Sequence, residues 1–314
     1  MSLIACGGGG GGDEVITPVG PHTQYIVNKA NVPANPTQVK SFGLDLGGPK
    51  ANKQDGMVDN QLGTVLSTLA TMGFKVQDGI DTAVQDGSII LLVDVQSEDF
   101  MSSDAAGISV LLGANPTPPP CSDPPANTMC GKHLAGTGMF TVATNSPMNA
   151  ALAGKISGGT FDAGPGDVTL QITLGGAAPI SLALQHARAQ VTGITATAIG
   201  SATIGGEVSQ NDINTQVIPA VQAQLPPLIT RDCPTPAPPD CMCVAQSTGE
   251  TILSLLDTNH DCMVSVDEIQ NNSLIKSLLA PDVCTQSSCD KPDALSIGIQ
   301  ATAVHGTFTP ALSD

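Results

Sequence analysis

Between Asp59 and Met72 the apolar residues Leu62, Val65, Leu66 and Leu69 recur three and four apart, which predicts a helix with one buried stripe. Gly73 ends it, and Val76, Ile80, Ala83 and Val84 predict a second, shorter helix. At Ser88–Gln96 the pattern changes. Ile89 to Val95 is a nearly continuous aliphatic run, the mark of a strand buried on both faces. From Gly107 to Glu207 the period becomes two. Val168, Leu170, Ile172 and Leu174 alternate with Thr169, Gln171 and Thr173, and Ile180, Leu182 and Leu184 resume after Gly175-Gly176. Half-buried antiparallel strands follow from that alternation. Tyr25-Ile26-Val27 reads as an edge strand, and Gln210–Leu225 as a helix interrupted by Pro219. Leu295, Ile297, Ile299, Ala301 and Ala303 form a last alternating strand that returns to the main sheet.

These elements imply an α+β fold: a mainly antiparallel sheet with packed helices and an inserted helix-loop-helix. Residues 1–22 read as a glycine-rich tether, 23–230 as the β-rich main domain and 231–243 as a stiff proline-rich linker. Residues 244–292 form a helical module, and 293–314 carry the returning strand.

Composition narrows the function. The 28 acidic against 11 basic residues leave a net charge of −17, which argues against nucleic acid and against electrostatic attachment to anionic lipid. Aromatic residues make up only 2%, so a sugar-stacking face lacks its usual rings. No stretch of eighteen apolar residues occurs to span a bilayer as a helix.

Of the nine cysteines, Cys6 stands apart and eight lie in loops: Cys121, Cys130, Cys233, Cys241, Cys243, Cys262, Cys284 and Cys289. An even set in proline-rich loops predicts a disulfide framework. Cys121–Cys130 staples one loop, and the other six pair among themselves. A zinc site built on Cys241-Met242-Cys243 with His260 or Cys289 is the rival, and it lacks a second Cys-x-x-Cys.

The strongest chemical signal is Asp257-Thr-Asn-His-Asp-Cys-Met-Val-Ser-Val-Asp-Glu268. Asp257, Asn259, Asp261, Ser265 and Glu268 place side-chain oxygens at positions 1, 3, 5, 9 and 12, with the Met263 carbonyl at 7. Calcium takes six to eight oxygens at about 2.3–2.6 Å, and one short loop supplies them only by coiling round the ion. Ser247-Thr-Gly-Glu250 has the spacing of a capping box before the entering helix. Val266, Ile269, Leu274, Ile275, Leu278 and Leu279 mark the exiting one, and Pro281 stops it. The segment resembles a single EF-hand. It departs from the family at position 6, where Cys262 replaces the usual glycine, and a disulfide to Cys284 or Cys289 is expected to hold that turn. A lone, disulfide-tied hand implies a permanent structural clip. His260, at position 4, points to solvent. Residues 45–60 look like a decayed calcium turn, with Asp45, Asn52, Asp55, Asp59 and Asn60 as oxygen donors and Lys50 and Lys53 intruding. Asp45, Asp55, Asp59 and Asn60 are its candidate ligands.

Leu3-Ile4-Ala5-Cys6 followed by Gly7 resembles the lipobox of bacterial lipoproteins, in which the cysteine becomes the lipidated N-terminus. Only five residues precede Cys6, too few for a signal peptide, so Met1-Ser2-Leu3 is expected to be a cloning remnant. The element order, lipobox and single hand together resemble exported lipoproteins of large-genome Gram-negative bacteria. That resemblance implies an extracytoplasmic protein, lipid-anchored in the cell envelope at the outer membrane.

No nucleophile elbow, zincin motif or P-loop is present. Strand alternation over Leu182–Val191 sets His186 and Arg188 on one face with Leu184, as the polar side of a sheet. Glu98, Asp99 and Asp104 read as a solvated loop. The expectation is therefore a non-enzymatic, calcium-stabilised, disulfide-linked structural or binding module whose protein partner the residues do not identify. The alternatives are a carrier of an apolar ligand between helices and sheet, or an exported hydrolase.

Overall fold

The alternating segments pair into a ring. In the computed structural model, which describes residues 16–310 and 312 apart from 52, 72–74, 122–128, 149–150, 173–179 and 236, nine strands form one sheet. They are β1 (His22–Asn31), β2 (Leu91–Gln96), β3 (Ser102–Thr117), β4 (Gly138–Val142), β5 (Ala151–Ser157), β6 (Thr160–Ile172), β7 (Ile180–Ile194), β8 (Ala198–Ser209) and β9 (Ala294–Thr309). Antiparallel pairing runs β1-β2-β3-β5-β6-β7-β8-β9 and closes from β9 back to β1. The molecule is thus a closed eight-stranded antiparallel barrel with a ninth strand outside it. Cys6, Asn52, Gly73 and Leu174 lie outside the described residues.

This corrects the α+β expectation: the protein is mostly β, and its helices decorate a barrel. It also corrects the reading of Tyr25-Ile26-Val27 as an edge, since β1 is bonded to β2 on one side and β9 on the other. Alternation tells which residues share a face, but closure depends on strand tilt and bulges. Register shifts interrupt β1, β3, β6, β7 and β8. At the β6 shift, Gly164 has φ +102°, and a Cβ there would come 2.4 Å from the Ala187 carbonyl oxygen. Only glycine fits that bend.

Alternate residues of all eight strands belong to one buried cluster, including Tyr25, Val93, Ile108, Leu152, Phe161, Leu170, Leu182, Val191, Ile204 and Ile299. An eight-stranded barrel is just wide enough for side chains to fill, and Tyr25, Ile108, Leu112, Leu152, Phe161, Leu170 and Leu182 are fully buried. The Tyr25 hydroxyl donates to the Thr195 carbonyl at 2.7 Å.

β4 pairs antiparallel with the end of β3 and parallel with the end of β9. The pairings β9-β1-β2-β3-β4-β9 therefore close a second, smaller ring. Its filling is a separate cluster of Ile26, Ile90, Leu92, Leu111, Phe140 and Phe308. This explains the continuous apolar run in β2: its odd positions face one core and its even positions the other.

The helices are α1 (Pro36–Ser41), α2 (Gln61–Thr71), α3 (Val76–Asp86), α4 (Gln210–Asp212), α5 (Ile218–Gln222), α6 (Leu225–Asp232), α7 (Thr248–Leu256), α8 (Val266–Asn271) and α9 (Ser273–Leu278). A π turn, Ile213–Val217, joins α4 to α5. The predicted stripe Leu62, Val65 and Leu66 of α2 and the set Val76, Ile80, Ala83 and Val84 of α3 are buried. No helix among the described residues is long and apolar enough to cross a membrane.

Candidate metal centre

The helical segment between β8 and β9 positions the Asp257–Glu268 loop. Asp232, at the end of α6, accepts from Arg231 and from the Gly249 N–H at 2.9 Å, and Val244 N–H donates to its carbonyl at 2.8 Å. The Arg231 guanidinium holds the Asp232 carboxyl at about 2. These bonds tie α7 to α6. Ser247 caps α7 through the Glu250 N–H, as the capping-box spacing predicts. The exiting helix is split. Asn272 ends α8 and caps α9 by accepting from Leu274 and Ile275.

Within the loop Asp257 and Glu268 turn inward, while Asp261 stays exposed. Asp257 is buried and accepts from the Asp261 N–H at 3.1 Å and the Cys262 N–H at 2.9 Å. Asn259 Oδ1 accepts from Asp261 N–H, and Asp261 Oδ1 from Met263 N–H. Glu268, also buried, reaches back across the loop. Its Oε1 accepts from the Thr258 and Asn259 N–H groups at 2.9 and 3.3 Å, and its Oε2 from the Ser265 N–H and hydroxyl at 2.9 Å each. Burial works to raise the Glu268 pKa, but the donors from Ser265, Thr258 and Asn259 outweigh it and hold the carboxyl below its ordinary range. Glu268 thereby closes the loop onto Thr258 and Asn259, the residues that follow Asp257. His260 is exposed, with φ 58°.

Cys262 has φ 65°, the left-handed geometry that position 6 demands. Its disulfide partner is Cys241, across a Cα–Cα distance of 5.3 Å, and not Cys284 or Cys289, which pair with each other. Cys233–Cys243 and Cys121–Cys130 complete the framework. Cys241 and Cys243 are thus spent in disulfides, which takes them from the zinc alternative. Sequence separation does not decide between them, since Cys241 is 21 residues before Cys262 and Cys284 a similar distance after it. The fold lays Cys241 against Asp257 of the loop, while Cys284 and Cys289 close a short loop of their own.

The oxygen donors suit a hard cation. Asp257, Asp261 and Glu268 carry three negative charges in one loop, and no Lys, Arg or His forms an ion pair with them among the described residues. No three His, Cys, Asp or Glu side chains among the described residues meet closely enough to hold a metal by themselves. A shell here would draw also on Asn259, Ser265 and the Met263 carbonyl.

The 45–60 turn is organised differently. Asp45 accepts from the Asp55 and Gly56 N–H groups, and Asp55 from Met57 N–H. Asp59 Oδ2 accepts from Leu46 and Gly47 N–H. Asn60 faces away from them and pegs the start of α2 to β9. Its Oδ1 accepts from Gly63 and Gly298 N–H at 3.0 and 2.8 Å, and its Nδ2 donates to the Val39 and Gly298 carbonyls at 3.0 and 3.1 Å. All of its hydrogen-bonding capacity is used.

Burial raises the Asp59 carboxyl to about 6, with Asp282 and Asp55 adding to the rise against the two N–H donors. A carboxyl whose folded pKa is raised binds its proton more tightly in the native state. Its contribution to stability is therefore present below its ordinary value of 3.8 and lost as pH rises through about 6. Asp59→Asn, measured in chelator, is expected to melt higher than wild type at pH 7–8, with the gap closing as pH falls to about 4. If the variant melts lower at pH 7, the charged form is the stabilising one.

Two buried acids escaped the sequence reading. Asp94 sits within the apolar run of β2, 2% exposed, with Oδ1 2.5 Å from His22 Nδ1. Burial raises its pKa, and His22 lowers it. Glu207 on β8 is fully buried, with Oε2 2.9 Å from His186 Nδ1. Burial again raises its pKa, against His186. Asp94 stands alone in the aliphatic run Leu91–Val95, but its burial, like that of Glu207 after Gly205-Gly206, is set by the strand register. The alternation that set His186 and Arg188 beside Leu184 fails at a register shift between Gln185 and Arg188. Leu184 and then Ala187 and Ala189 face the core. Asp99, of the acidic trio after β2, accepts from Met101 and Ser102 N–H as a turn cap.

No family model matches the chain, and no curated protein or solved structure is significantly similar to it.

Proposed function

We propose that the chain is a calcium-stabilised, disulfide-linked module of the bacterial cell envelope, tethered through a lipid at Cys6 and acting in structure or binding rather than catalysis. The observation that carries this reading is the Asp257–Glu268 loop. It coils so that Glu268 meets residues 258 and 259, buries two carboxylates that pair with no Lys, Arg or His among the described residues, and is clamped covalently at Cys262. Asp257, Asn259, Asp261, Ser265 and Glu268 would hold the ion with the Met263 carbonyl. Bound calcium would supply the positive charge that this oxygen set lacks. Two residues also act mechanically: Ser265 orients Glu268 through the capping box, and Cys262 keeps its N–H on Asp257.

The acidic surface and oxidised cysteines suit an exported protein, and the lipobox-like Leu3–Cys6 supports the tether. For the carrier alternative, the filled barrel core offers no supporting observation.

Calcium titration by calorimetry, with elemental analysis of the oxidised protein, tests the reading. One calcium per chain, lost in Asp257→Ala, is expected. Failure of the wild type to bind calcium would remove it.

A further inference from the structure

We propose that the Cys241–Cys262 disulfide is a redox lock on the calcium loop, so that reduction releases the ion and calcium in turn makes the disulfide harder to reduce. The inference rests on the calcium reading and adds its regulation.

The lock follows from where the sulfur bridge sits. Cys262 occupies the middle of the loop at φ 65°, a conformation that is strained for a residue bearing a Cβ. In that conformation its N–H donates to Asp257 Oδ2 at 2.9 Å, which aims the first carboxylate into the loop. The bridge fastens Cys262 to Cys241, whose sulfur lies 3.8 Å from the same Asp257 oxygen. One covalent bond therefore fixes the backbone of the turn and the seat of its first ligand. The other two disulfides of this region, Cys233–Cys243 and Cys284–Cys289, hold flanking segments and leave the loop itself untouched.

Access favours one direction of attack. Cys262 is 4% exposed, whereas Cys241 is half-buried beside the exposed Met242. A dithiol reductant attacks Cys241 Sγ through one thiolate, the Cys241–Cys262 bond breaks, and Cys262 leaves as a thiolate that takes up a proton. The second thiol of the reductant resolves the mixed disulfide and frees Cys241 as a thiol. The protein pair gains two electrons and two protons, and the reductant becomes a disulfide. Cys262 then relaxes to negative φ, its N–H leaves Asp257, and the loop uncoils.

Calcium binding is read by titration of the full chain in oxidised and dithiol-reduced forms, and of two variants with circular dichroism confirming the barrel. Reduction, and Cys241→Ser with Cys262→Ala, are expected to weaken binding at least about tenfold, within the usual range of site coupling. Cys241→Ser with Cys262→Gly, which needs no lock to adopt positive φ, is expected to bind within about threefold of the oxidised protein and to ignore reductant. By reciprocity, saturating calcium lowers the reduction potential of the pair by about 30 mV for each tenfold of coupling. If the folded alanine variant and the reduced protein bind as tightly as the oxidised one, the lock is overturned while the calcium site stands. If the glycine variant is as weak as the alanine variant, the left-handed turn is not what the bridge holds, and the mechanism fails. If the oxidised wild type binds no calcium, the underlying site is absent and the lock falls with it.

Discussion

Calcium added to the oxidised protein is expected to raise its melting temperature, and Glu268→Gln to abolish the rise. A ligand that binds only the native state adds RT ln(1 + [L]/Kd), about 2.7 kcal/mol at a hundredfold excess over Kd. For a chain of this length that corresponds to roughly 5 °C. Glu268 is the decisive position because its two oxygens are held against opposite sides of the loop, Oε1 on Thr258 and Asn259 and Oε2 on Ser265. Glutamine keeps one acceptor and turns an NH2 group toward N–H donors, so it loses the closing ligand and part of the capping box. The second loss lowers stability by about 1 kcal/mol even in chelator. Scanning calorimetry of both proteins with calcium and with chelator separates the two effects. A variant that keeps the full calcium response would put the ion elsewhere, and the Asp45–Asp59 turn would be the next place to look. A wild type that ignores calcium would leave Asp257–Glu268 a turn satisfied by its own N–H groups.

The second large effect is expected at Asn60, and it is independent of calcium. Asn60→Ala strips partners from the Gly298 N–H and carbonyl, from the Val39 carbonyl and from the Gly63 N–H at the start of α2. Orphaning buried backbone groups costs about 1–3 kcal/mol each, and some regain water, so a loss of about 3–5 kcal/mol is expected. No larger neighbour substitutes for the peg: a Cβ on Gly63 would lie 2.3 Å from Asn60 Oδ1. Asn60→Asp keeps the acceptor but points a carboxylate oxygen at two carbonyls. Its folded pKa must rise, so that its defect is largest at pH 7 and shrinks as pH falls and the acid gains a proton to donate. Urea unfolding of both variants at pH 5 and 7, each with calcium and with chelator, checks this. A loss from Asn60→Ala that appears only with calcium present would make Asn60 a metal ligand instead of a peg.

Asn60 also shows where sequence reading runs out. In the chain it is one oxygen donor among several in an Asp- and Asn-rich turn, and type alone groups it with Asp55 and Asp59. Its actual partner, Gly298, is 238 residues away. Cys262 teaches the same lesson. The missing glycine at position 6 was visible, and so was the need for something to hold the turn, but the partner Cys241 depended on how residues 241–243 fold over the loop. His186 was misplaced because a one-residue shift in β7 exchanges its faces, and nothing in the alternating pattern announces the shift.

What the sequence determined by itself is local. The stripes of α2 and α3, the inward positions of β6, β9 and the start of β7, the cap of α7 and the oxygen spacing of the 257–268 loop follow from residues a few positions apart. Period, capping and ligand spacing are all set over one or two turns of chain. The tertiary structure alone decided that the strands close into a ring, that β4 completes a second ring with its own core, and that Asp94 and Glu207 are buried acids. Each of these depends on the register between strands distant in the chain. That register is set by the combined packing of both cores and the bulges that bend the sheet, and no single segment carries it.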